Sequence, residues 1–305
     1  MSFTPPSIRR RRTRGVRSWR SLGVLSALGL LVAGLAVVST AQPASAAARH
    51  TAWAPASSAS ITPGVQAYTA GGQCTTNFVF TDAAGGVYIG YAAHCAGLGE
   101  ATDTNGCEND SQPLGTRVTF NKGGSLLSNG ALIGSGELVY SSWRTMRDLG
   151  VTDANTCAFN DFALVKVRAA DVAKVNPSVP FWGGPTGIDT DGVAAGERVW
   201  SYGNSSLRAG ISLLSPKVGL SLGTSGGGWS HSLYTLTPGI PGDSGSAFLS
   251  AGGKAVGTLS TLGLTPLPLS NNIGDLSREL AFAQQHSGID GLELALGTVA
   301  FTGIG

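Results

Sequence analysis

His94 stands in Tyr91-Ala92-Ala93-His94-Cys95, and Ser244 stands in Pro241-Gly242-Asp243-Ser244-Gly245-Ser246. A hydroxyl is a poor nucleophile at neutral pH until a neighbouring base takes its proton, and the base needs a third group to fix its tautomer. An imidazole and a serine in these settings therefore read as general base and nucleophile for acyl transfer. Four histidines are present: His50, His94, His231 and His286. His50 lies in a Ser/Thr/Ala/Pro-rich arm and His231 in a polar stretch. His286 ends an expected helix, where a cation faces free carbonyls. His94 alone closes an apolar run beside a cysteine able to fix its backbone. Gly-Asp-Ser-Gly by itself is an ordinary turn composition; it is the pairing with Ala-Ala-His-Cys upstream that points to chemistry. Glycine at 242 lets the backbone aim N–H groups at a developing oxyanion, and the N–H groups of Gly242 and Ser244 are the expected hole. The third member is expected between the two motifs. Asn160-Asp161-Phe162-Ala163-Leu164-Val165 puts a carboxylate at the mouth of an apolar strand, whereas the rivals Asp153 and Asp171 lie in polar stretches. Asp161 is favoured.

The elements that must position these groups read as β. Short apolar or alternating runs separated by Gly, Asn and Asp occur at 77–81, 86–92, 116–120, 131–140 and 162–167, then at 198–202, 233–236, 246–250 and 254–259. With 45 glycines in the chain, many short strands and Gly-rich turns predict an all-β barrel or sandwich. Residues 175–185, from Val175-Asn176-Pro177 through Gly183-Gly184-Pro185, are the expected linker between two strand series. Residues 223–228 read as a loop. One helix is expected from about 275 to 286, with Asp275 capping its start and Gly288 its end.

The N-terminus carries Arg9, Arg10, Arg11, Arg12, Arg14, Arg17 and Arg20, then a mostly apolar run from Leu22 to Val38, then Pro43-Ala44-Ser45-Ala46. Basic, apolar and small-residue regions in that order predict a secretory signal peptide over residues 1–46, with Ala41 an alternative cleavage point. A retained anchor is the competing reading, but the run is short and rich in Gly and Ala for a span. Removing seven of 20 basic residues leaves 13 against 18 acidic ones, a net charge of −5. A mildly acidic domain has no electrostatic footprint for nucleic acid. No stable membrane insertion is expected after cleavage. Residues 47–65 read as an extended arm or short propeptide. An exported chain with four cysteines predicts disulfides. Of the three pairings, Cys74–Cys95 is favoured because it would pin the histidine segment, and Cys107–Cys157 because it would anchor the approach to Asp161. No metal is expected, since the cysteines lack a C-x₂-C pair.

At Ala92-Ala93-His94-Cys95, Asn160-Asp161-Phe162-Ala163-Leu164 and Gly242-Asp243-Ser244-Gly245 the chain resembles the chymotrypsin/trypsin family of serine peptidases, in particular its small secreted bacterial members. The motifs occur in that family's order, over roughly residues 66–287. The resemblance implies two packed antiparallel six-stranded β-barrels with a C-terminal helix, the first at 66–180 and the second at 181–305, with the site in the cleft between them. It implies a role for Ser260 in supporting Asp161, and a buried cationic partner for Asp243, for which Arg198 is the expected candidate. It implies a peptide or protein substrate laid along the segment after Ser260 as an added strand, no cofactor, and a monomer. Three features depart from the family pattern: Ser246 in place of a second glycine, Thr261-Leu262-Gly263 after the supporting serine, and missing pocket cysteines. Pro238 at the expected pocket base carries no charge, and Leu259 stands where glutamate-specific relatives place a histidine. A neutral side chain is the expected preference.

Two other functions compete with a secreted serine endopeptidase. A catalytically silent homologue would bind peptide or cell-wall material without needing His94, Asp161 and Ser244 together. An esterase on an α/β-hydrolase scaffold requires G-x-S-x-G and a histidine after the serine; here Ser246 takes the fifth position and His94 precedes the serine.

Overall fold

Runs of β-branched and aromatic residues form strands such as Val79–Thr81 and Val87–Tyr91, as their side chains suit a pleated, buried surface. The computed structural model describes residues 48–99, 104–263 and 268–303; the expected signal segment 1–46 lies outside the described residues. The described residues belong to one unit. The first half contains β1 (Gln66–Thr69), β2 (Gly72–Thr75), β3 (Val79–Thr81), β4 (Val87–Tyr91), β5 (Arg117–Lys122), β6 (Ala131–Ser141) and β7 (Ala163–Val167), with helices α1 (Ser142–Leu149), α2 (Ala154–Phe159) and α3 (Ala169–Val172). The second half contains β8 (Arg198–Tyr202), β9 (Pro216–Ser225), β10 (Ser230–Thr235), β11 (Ala247–Leu249), β12 (Ala255–Gly263) and β13 (Ser270–Asp275), then α4 (Leu276–His286) and β14 (Glu293–Leu294).

The second half is a closed six-stranded barrel in the order β10-β13-β12-β11-β8-β9, filled by Val193, Val199, Leu233, Phe248, Val256, Leu259 and Ile273. The first half is an eight-stranded antiparallel sheet in the order β14-β3-β4-β7-β6-β5-β1-β2. Its strands share one core, with Ala67, Val79, Ile89, Phe120, Leu138 and Val165 buried together. The all-β expectation with a C-terminal helix is met. The first half differs from a six-stranded barrel because the β1–β2 hairpin adds a strand at one edge and β14, from the end of the chain, adds one at the other. The expected assignment of all of 181–305 to the second half is corrected at β14, whose pairing with β3 carries the chain back to the first sheet. A third core, including Phe78, Phe162, Trp182, Trp200, Leu276 and Leu280, holds residues from both halves.

The arm from Ala48 is laid against the first half. Ile61 is fully buried and bridges Val175 in parallel, and the Asn176 side-chain amide donates to Ala54 O at 2.7 Å. Residues 223–228, expected as a loop, are instead the end of β9 and a tight 3-10 turn into β10. Asp275 caps α4 as expected, accepting from Arg278 N at 3.0 Å.

Candidate active site

Strand pairing brings His94 and Asp161 together. Strand β4 pairs antiparallel with β7, Tyr91 opposite Ala163, so residues just after β4 meet residues just before β7. The chain leaves β4 into a 3-10 turn, Ala93–Ala96, and its shape is fixed from two sides. The Cys74–Cys95 disulfide ties it to β2, and the backbone N–H of His94 donates to Asp161 Oδ1 at 2.8 Å. The second disulfide, Cys107–Cys157, anchors α2, which leads into Asp161. Both favoured pairings are present. Closing loops of 21 and 50 residues, each stabilises by about 3–4 kcal/mol in the chain-entropy description.

His94 Nδ1 lies 2.7 Å from Asp161 Oδ2. The same oxygen accepts from Ser260 Oγ at 2.6 Å. An ionised carboxylate only accepts, so the imidazole proton sits on Nδ1 and leaves Nε2 as the basic nitrogen. Asp161 is almost fully buried. Burial alone would raise its pKa, but the charge and hydrogen bonds of His94, the Ser260 hydroxyl and the His94 N–H outweigh it and hold the carboxyl below the usual range. For His94, burial pulls downward, and the charge and hydrogen bond of Asp161 more than offset it, so the imidazole is raised above its ordinary value.

Ser244 enters from the barrel. β11 pairs with β12, Ala247 opposite Thr258, and Gly245 N donates to Leu259 O at 2.6 Å, which places the serine turn beside Ser260. Ser244 O accepts from Thr75 N at 2.8 Å, and Cys95 Sγ lies 3.9 Å from it. Gly245 sits against the histidine segment: at φ +89°, an added Cβ would lie 2.4 Å from Thr75 O and 2.9 Å from Ala92 N. The two motifs are thus packed together through their backbones. The Ser244 hydroxyl makes no hydrogen bond among the described residues, in keeping with the loose nucleophile–base contacts of sites without substrate. The N–H groups of Gly242 and Ser244 have no acceptor among the described residues.

Asp243 is fully buried beneath this turn. Its partners are Arg208 Nη2 at 2.7 Å and Lys217 Nζ at 3.0 Å. The expected partner Arg198 is corrected: it begins β8 with an exposed side chain, while Asp243 accepts from Ser205 N, beyond the other end of that strand. Burial lowers the Lys217 pKa, and Asp243 only partly restores it. Arg208 Nη2 also donates to Pro238 O at 2.7 Å. At the expected pocket base, Asn271 pairs its amide with both backbone groups of Gly239.

Glu279 joins this network without any motif to mark it. It lies on the buried stripe of α4 with Leu276, Leu280 and Ala283, and Oε1 accepts from Asp161 N at 3.1 Å. Burial, then the Asp161 charge, raise its carboxyl well above the usual range. Its spacing on an apolar helical face was the available signal. Among the described residues, Cys74, His94 and Cys95 have metal-ligand spacing, but both sulfurs are in the disulfide and offer no thiolate.

The chain is similar to solved structures of bacterial proteases. Protease A from Thermobifida fusca is 19% identical with a TM-score of 0.48, over 78% of this chain and 99% of that one. A protease from Nocardiopsis is 18% identical with a TM-score of 0.44, over 77% and 98%. A chymotrypsin from Cellulomonas bogoriensis is 18% identical with a TM-score of 0.42, over 77% and 98%. No family model matches the sequence, and no curated protein matches it.

Proposed function

We propose that this chain is a secreted serine endopeptidase that hydrolyses peptide bonds through Ser244, His94 and Asp161 and an acyl-enzyme intermediate. The observation that carries the reading is the His94–Asp161–Ser260 network, closed by direct hydrogen bonds and packed against a turn whose Gly242 and Ser244 N–H groups have no acceptor among the described residues. His94 Nε2 takes the proton of Ser244 as its oxygen attacks the carbonyl carbon. Asp161 holds the imidazole and stabilises its cation. The two N–H groups receive the oxyanion. His94 then returns the proton to the leaving amine, and water repeats the cycle on the ester. The substrate pairs along the strand after Ser260, in a cleft between the first sheet and the six-stranded barrel. The uncharged Pro238 and buried Leu259 favour a neutral side chain at the cleaved bond; a peptide library cut mainly at Arg, Lys or Glu would overturn that preference. Among the described residues no helix is long and apolar enough to cross a membrane, and the two disulfides fit an oxidising compartment.

A second reading, a silent homologue that binds peptide, rests on the Ser244 hydroxyl making no bond to His94. Labelling with a fluorophosphonate separates the two. Folded wild type is expected to label covalently and Ser244→Ala not to label. Folded wild type that neither labels nor cleaves casein-derived peptides would favour the silent homologue.

A further inference from the structure

The N–H groups of Gly242 and Ser244, without an acceptor among the described residues, belong to a run of three peptide planes, and each plane is fixed by a side chain. In a trans peptide the C=O and N–H point to opposite sides, so fixing a carbonyl aims the next N–H. Pro241 O accepts from Ser205 Oγ at 2.6 Å, which turns Gly242 N–H away from Ser205. Gly242 O accepts from Gln73 Nε2 at 3.0 Å and Thr75 Oγ1 at 2.8 Å, while Asp243 N donates to Ile240 O at 2.8 Å. Asp243 O accepts from Ser246 N and from the Ser246 hydroxyl, which turns Ser244 N–H to the opposite side. Ser246, a departure from the family pattern, thereby acquires a role.

Gln73 and Ser205 grip the same turn from different halves. Gln73, on β2, also accepts from Ser206 N at 2.8 Å, so one amide spans the Gly242 carbonyl and the loop that carries Ser205. Ser205 is buried and its own N–H binds Asp243 at 2.9 Å. Gly242 has φ +92°, and an added Cβ would lie 2.3 Å from Gln73 Oε1 and 2.9 Å from Ser205 Oγ. The turn and its two clamps are in contact with no spare volume.

Resting on the peptidase reading above, we propose that Gln73 and Ser205 are positioning residues that hold the oxyanion-binding backbone in its working form. Gln73 makes that form depend on the first sheet being docked against the barrel. A side chain that sets peptide planes changes how well the transition state is bound and leaves ground-state peptide binding alone.

The test uses the full secreted chain, a fluorogenic peptide selected from library cleavage by wild type, and the matching peptide aldehyde, whose hemiacetal places an oxyanion in the hole. Gln73→Met removes the amide at nearly constant length. Gln73→Glu keeps the acceptor for Ser206 N and loses the donor to Gly242. Ser205→Ala removes one hydroxyl. Each is expected to lower kcat by about 10- to 100-fold, to weaken aldehyde binding by a similar factor, and to leave KM within about threefold. Thermal unfolding identifies any variant that fails to fold, and the remaining variants then carry the test. Folded variants with kcat within twofold of wild type, or with aldehyde binding unchanged while KM rises, would overturn the proposal and leave the peptidase reading standing. A folded wild type that neither turns over peptide nor labels with fluorophosphonate would remove the peptidase reading and this proposal with it.

Discussion

At the His94 end of the site the groups that matter are side chains, and they touch one another: imidazole to carboxylate at 2.7 Å, hydroxyl to carboxylate at 2.6 Å. At the Ser244 end the groups that matter are backbone N–H groups, and among the described residues they have no acceptor, because side chains hold the carbonyls on either side instead. The first arrangement tunes a charge, and the second aims dipoles at a place still to be filled. Loss of a side chain should therefore act at one end through protonation and at the other through geometry.

Asp161→Asn is expected to have a larger effect than any substitution at the Ser244 end that keeps the serine, a loss of about 10⁴-fold in kcat, because the amide selects the wrong imidazole tautomer. Steady-state kinetics at pH 7–9 checks it, and a loss under tenfold would show that the carboxylate does not govern the base. Gly242→Ala probes the other end. The strained φ and the contact with Gln73 should cost about 10²–10³ in kcat with the His94 pH limb unmoved; a shifted limb would mean the two ends are not separable.

The pH profile of wild type sharpens the contrast further. The base works only when neutral, so kcat/KM should climb as pH rises through the raised His94 pKa, with its midpoint above the ordinary imidazole value. A midpoint at or below that value would mean burial outweighs Asp161. The smallest change is expected for Glu279→Gln, and it concerns stability. The native state keeps a proton on Glu279 that the unfolded chain releases above the ordinary glutamate range. Wild type should therefore lose stability as pH rises from there towards the raised value, and the Gln variant should lose less, by on the order of 1 kcal/mol between pH 5 and 8 in urea titrations. Equal slopes would place Glu279 ionised in the native state.

The chemistry-bearing motifs were legible because each is local. His94 ends an apolar run, Asp161 opens one, and Gly242 and Gly245 mark a turn. The α4 helix was legible from Asp275 at its start and Gly288 just beyond its end. The polar strands were not. β13 reads Ser-Asn-Asn-Ile-Gly-Asp, a loop composition, yet it lines the barrel because Asn271 finds its partners in Gly239, 32 residues away. Lys217 on β9 carries no sequence signal for a similar reason. A lysine in a Gly/Ser-rich run reads as solvated, and only long-range packing against Asp243 makes it interior. Gln73 carries no sequence signal, since its role depends on a turn 169 residues further on.

The contact between Glu279 and the amide of Asp161 spans 118 residues. A nascent or truncated chain that stops short of α4 already contains His94, Asp161 and Ser244, yet has no acceptor beneath the carboxylate-bearing loop and no helix over the shared core. On the peptidase reading, activity in such a chain would arrive late in its synthesis, after the first sheet, the barrel and the helix that closes on both have all been made.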